Sequence, residues 1–146
     1  MARGARFGER MARRGKQFEN SSEAAVKRAA GAGLRSAVLN TPVDKGVARS
    51  NWRVGLGAPT RSVIEAYSPY PKGSKGNGQG KSETANASAA ISAGLARIAV
   101  KPKGAPIFLN NNVAYIGKIS AREATIERSL IAAGSSLIGF KLFVDR

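Results

Sequence analysis

From Phe18 to Val38 the chain repeats small residues at helical spacing, and this stretch constrains the fold more than any other. Phe18, Ser22, Ala25, Ala29, Gly33 and Ala37 recur three or four residues apart, with Val26, Ala30, Leu34 and Val38 on the adjoining row. That spacing lays one stripe along an α-helix. Because the stripe is mostly Ala, Gly and Ser, whatever packs on it comes close. Asn40-Thr41-Pro42 ends the helix, since the residue before a proline is pushed out of the helical region. Pro42 to Gly46 then reads as a turn.

The rest of the chain alternates short strands with helices. In Asn51–Gly57, Trp52, Val54 and Leu56 fall on one strand face and Arg53 on the other. Arg61–Tyr67 reads as its hairpin partner, joined through Gly57-Ala58-Pro59-Thr60. Ser68-Pro69-Tyr70-Pro71 breaks the pattern and leads into a low-complexity loop, Lys72–Lys81, half of it Gly or Ser. Ser82 caps a second helix carrying Ile91, Leu95 and Ile98, which Pro102 and Gly104 stop. Ile107-Phe108-Leu109 reads as a buried strand running into Asn110-Asn111-Asn112, which supply turn backbone. A third helix is expected over Ala121 to Ala133, and Leu137–Val144 closes the chain as a strand or a short helix. The fold class expected is α+β, with a long N-terminal helix and shorter helices packed on a small antiparallel sheet. Residues 17–146 form a single domain with a Gly/Ser/Lys-rich loop at 68–82, a size that suits one core.

Charge sets the surroundings. The chain carries 24 Lys and Arg against nine acids, a net charge of +15, which implies an anionic partner, most often nucleic acid. Residues 1–16 concentrate Arg3, Arg6, Arg10, Arg13, Arg14 and Lys16 against Glu9 alone. Glycines at 4, 8 and 15 lower helix propensity there, so the segment reads as a basic arm that orders on contact with a partner. No apolar run follows the basic N-terminus, so no secretory signal is read. The stretch from Ala85 to Val100 is too short for a bilayer and is interrupted by Ser88, Ser92 and Arg97. A soluble protein is expected.

Catalytic apparatus is not visible. With no His and no Cys, the chain lacks imidazole acid–base chemistry, thiol nucleophiles and the usual zinc ligands. Lys75 to Ser82 approaches a phosphate-binding loop in Gly80-Lys81-Ser82, but Lys75 stands where the first glycine belongs. The segment before it holds Pro69 and Pro71 instead of a buried strand, and Leu142 to Asp145 is a poor second motif at the end of the sequence. Glu123 and Glu127 would share a helix face, where they balance Arg122 and Arg128. Neither a cofactor nor a metal is expected. Trp52, alternating with Val54 and Leu56, reads as a core anchor in preference to a stacking platform.

Three blocks resemble one family. Thr41-Pro42-Val43-Asp44-Lys45-Gly46 followed by Arg49 to Gly57, then Ala89 to Ala96, then Ile107 to Ile116, resemble in order the tail-completion or neck proteins of tailed bacteriophages. Lys45 and Val47 stand where that family often has Thr and Arg, and its pattern is lost after Ile116. The resemblance implies a structural virion protein and not an enzyme. It would be made in the host cytoplasm and sit in the neck, as a homo-oligomeric ring, a hexamer or dodecamer, joining head or connector to tail. Its partners would be itself, the adjacent connector, head-completion and tail proteins, and DNA in the channel, with no membrane. Arg3, Arg6, Arg10, Arg13, Arg14 and Lys16 are the candidates for nucleic-acid or partner contact, and Trp52, Asn111 and Tyr115 for core or interface. The alternative is a free basic nucleic-acid-binding protein.

Overall fold

The computed structural model of the protein describes residues 2–42, 46–69 and 77–137, with backbone only at 2–5 and 77–83. In chain order the elements are α1 (Ala2–Leu39), α2 (Val47–Ser50), β1 (Arg53–Leu56), α3 (Asn77–Ala99), β2 (Ile107–Asn110), α4 (Ile116–Glu123) and α5 (Thr125–Leu137). Among the described residues the fold is α+β, mostly helical, with one two-stranded antiparallel sheet.

Helix α1 is the organising element. Its C-terminal half buries Leu34, Ala37 and Val38 in a core completed by Trp52, Val54, Ala87, Ala90 and Ile98. The small-residue stripe does what its composition requires. Gly33 comes against Leu109, Ser129 and Ala133, so β2 and α5 both approach the helix closely, while Gly31, outside the stripe, comes against Leu95 of α3. On the facing helix, a side chain at Gly94 would collide with Leu34 and crowd Val54. α1 stops as expected before Pro42. The Asn40 amide and the Thr41 hydroxyl donate back to the carbonyls of Ser36 (2.8 Å) and Ala37 (2.7 Å), taking up two of the acceptors left free at a helix end.

The helix does not start at Phe18, however. It extends to Ala2, so the basic arm is the outer half of α1 and not a separate disordered segment. Once the packed half has paid for nucleation, each further residue adds a hydrogen bond at little cost. The Ala, Arg, Met, Lys, Gln and Glu that fill positions 2–17 are good helix formers, and they outweigh three glycines at about 1 kcal/mol each.

The sheet pairs differently from the expected hairpin. β1 joins β2, with Arg53 opposite Asn110, Val54 opposite Leu109, Gly55 opposite Phe108 and Leu56 opposite Ile107. Residues 58–66 form no regular element. Asparagine side chains hold this segment instead. Asn110 exchanges two bonds with the backbone of Thr60, Asn51 two with Ile64, and Asn86 two with Ser68, all at 2.7–3.1 Å. A carboxamide presents one donor and one acceptor side by side, as a neighbouring strand would. Asn112 adds a bond to Thr60 O (2.7 Å) and Asn111 one to Ala48 O (2.7 Å). The Asn110–Asn112 run therefore acts through its side chains, and none of the three takes a left-handed backbone.

Three further expectations change. α3 begins at Asn77, so the second half of the expected loop lies in the helix, where Gly78 and Gly80 fall in the first turn. Gly80-Lys81-Ser82 is thus inside a helix already under way, without the strand-to-helix turn that phosphate binding needs. Residues 70–76 and the expected closing element after Leu137 lie outside the described residues, as do Leu142 to Asp145. The third helix is two helices, broken at Ala124, which takes a left-handed conformation (φ 50°). The break puts Glu123 and Glu127 on different helices, and Glu123 pairs with Arg122 (3.0 Å). Among the described residues, no helix is long and apolar enough to cross a membrane.

Candidate nucleic-acid and partner interface

Extending α1 to Ala2 turns a list of arginines into a surface. At about 100° per residue, positions 3, 6, 10, 13 and 14 fall within an arc of about 100° on one side of the helix. Arg28 and Arg35 continue the same line, and no Asp or Glu lies within it. Residues 6–20 are exposed throughout, as are Arg28 and Arg35. The stripe from position 3 to position 35 runs about 48 Å, at 1.5 Å per residue. Arg10 donates to Arg6 O (3.3 Å), which lays its side chain along the helix. Lys16 falls on another side of the helix, so the structure groups five of the six predicted arm positions and leaves Lys16 apart. Arg28 and Arg35 are not evident as members until the helix is known to be continuous.

A second side of α1 is apolar. Phe7, Met11, Phe18 and Val26 are each about half exposed and lie along one line, which leads into a groove of about 910 Å³ between α1, α5 and β2. Ala25 and Ala29 of α1 form its floor, Leu130 and Leu137 of α5 one wall, and Ile107 and Leu109 of β2 the other. Ser129 Oγ is shielded here and has no hydrogen-bond partner among the described residues. The period of Ile126, Leu130, Ala133 and Leu137 in α5 is the sequence signal for this wall.

Trp52 and Asn111 both line that groove. Trp52 is buried, and its indole N–H donates to Thr41 Oγ1 (2.7 Å). Asn111 is half-buried, with its carboxamide bonded to Ala48 O and to the Val113 N–H. Tyr115 stands at the start of α4 and is 43% exposed, on the surface and outside the core. Among the described residues no cluster of acids could hold a metal ion.

One ion pair secures α1 to the α3–β2 connection. Lys101, its side chain only 2% exposed, reaches Glu23, whose other carboxylate oxygen accepts the Gly104 N–H (2.8 Å). The Gly104 amide first, and Lys101 second, hold the Glu23 carboxyl below its usual range. A depressed carboxylate stabilises the fold above its unfolded-state pKa, and that contribution disappears as pH falls through the folded value. Acidification below the ordinary glutamate range is therefore expected to lower the melting temperature more steeply in wild type than in Glu23→Gln. Equal acid limbs in the two proteins would contradict this.

No protein-family model, curated protein or solved structure matches the chain.

Proposed function

We propose that this protein is a non-enzymatic ring component of the head–tail interface of a tailed bacteriophage particle. The observation that carries the reading is that the three blocks bearing the resemblance pack into one unit. Thr41 from the first block receives the Trp52 N–H, and Asn111 from the last grips Ala48. β1 and β2, one from each of these blocks, pair with each other. Ala90 and Gly94 from the middle block pack on Val54 and Leu34. Residues that resemble a family in order along a sequence thus form a shared core, as residues specifying a common fold should.

The arginine line on α1 supports a position beside DNA. A ring multiplies it by the subunit count and faces phosphates with a row of guanidinium groups concentrated in the outer half of α1. The same line favours the second reading, a free nucleic-acid-binding protein, for which charge is a generic footprint. The two differ in assembly. Imaging of purified particles is expected to show the protein as a closed ring at the neck, and the isolated protein should bind short duplex DNA weakly at physiological salt. Tight binding as a monomer, with a steep salt dependence and no place in the particle, would favour the alternative.

A further inference from the structure

The groove between α1, α5 and β2 is bounded on one side by an edge strand. Gly57 N–H donates to Pro106 O (2.9 Å), so by the alternation of an antiparallel ladder Gly55/Phe108 and Arg53/Asn110 are the bonded pairs. The N–H and C=O groups of Ile107 and Leu109 then point away from β1, toward the open edge. Among the described residues no strand pairs there.

Chain direction limits what comes next. α5 starts beside the end of α1, where Thr125 and Arg128 bond Asn40, and passes Gly33 at Ser129 and Ala133, so it runs antiparallel to α1. Its last residue, Leu137, lines the groove at the end nearer Ser22. β2 also starts at that end, since Gly104 bonds Glu23, and it runs toward the end of α1, where Asn111 bonds Ala48. A chain leaving Leu137 and turning back into the groove therefore runs parallel to β2. Parallel neighbours need a crossover of a dozen or more residues, usually helical, and α4 and α5 supply it.

The sequence after Leu137 suits this path. Gly139 can provide the turn, Phe140, Leu142 and Val144 are apolar at alternate positions, Lys141 and Phe143 lie between them, and Asp145 and Arg146 follow. Residues 138–146 reach about 30 Å when extended, at 3.3–3.6 Å per residue, more than twice the length of β2. Backbone groups of such a strand would also give the shielded Ser129 hydroxyl a partner.

We propose that residues 140–144 add to the free edge of β2 as a third, parallel strand, setting Phe140, Leu142 and Val144 in the groove over Ala25 and Ala29. The chain has no cysteine, so engineered pairs report cleanly. Ala29→Cys would be combined in the full chain with Phe140→Cys, Leu142→Cys or Val144→Cys, and separately with Lys141→Cys, Phe143→Cys or Asp145→Cys. After mild oxidation at low protein concentration, at least one of the first three should form a disulfide within a single chain, and the second three should not. Equal yields in both sets, no intrachain disulfide, or disulfides only between chains would overturn the proposal, the last by giving the groove to another copy. Hydrogen exchange provides a check without substitutions. The Ile107 and Leu109 amides should exchange at least tenfold faster in a chain ending at Leu137 than in the full chain, while the core of α1 stays protected. Unchanged exchange would equally overturn it. Both measurements use the isolated protomer, so they stand apart from the virion reading.

Discussion

Trp52→Ala is expected to lower the stability of the protomer by about 3–5 kcal/mol, the usual cost of emptying a large aromatic site. Trp52 packs with Leu34, Val38 and Val54, and it bridges the helix end to the sheet through its bond to Thr41. A domain of this size is held by about 5–15 kcal/mol, so the variant loses a large share of its stability. Trp52→Phe keeps most of the volume but loses the hydrogen bond, and should fall between wild type and the alanine variant. Urea denaturation of the three proteins measures this. If Trp52→Ala unfolds at the wild-type midpoint yet fails to assemble into particles, the indole belongs to an interface and not to the core.

The second large effect is on assembly. Changing Arg3, Arg6, Arg10, Arg13 and Arg14 together to Glu should leave the melting temperature nearly unchanged. Exposed charges contribute little to stability, and acids near a helix N-terminus are favoured by its dipole. The same protein is expected to be missing from particles, or to leave heads that leak DNA, because one side of α1 changes sign along most of its exposed half. A reversed protein that supports normal titres of DNA-retaining particles would reduce this side of α1 to a solvated surface. Reversing Lys16 alone, which sits off the line, is the matched control.

Periodic features were legible in the sequence, and pairings were not. The stripe from Phe18 to Val38 and the apolar runs around Val54 and Ile107 each formed the element their spacing implies. What the spacing could not carry was the choice of partner. β1 pairs with a strand about fifty residues away, while Asn110, Asn51 and Asn86 hold the backbone of Thr60, Ile64 and Ser68 in and beside the expected hairpin strand. The left-handed Ala124 gave no warning, since alanine normally extends a helix and no glycine marks the break. The arginines of the arm were conspicuous as a charge run. Their alignment with Arg28 and Arg35 followed only from helical continuity, which the glycines at 4, 8 and 15 argued against.

The asparagine clasps on residues 60, 64 and 68 separate the path of this segment from the identity of its side chains. Each clasp holds main-chain atoms, which every residue except proline supplies in the same form. Arg61, Val63, Glu65 and Tyr67 point outward between the clasped positions and contribute little to keeping the segment in place. These four positions can therefore drift under mutation while buried Ala66 and the course of the segment stay fixed, giving the molecule a rim on which new contacts can be tried without putting the fold at risk.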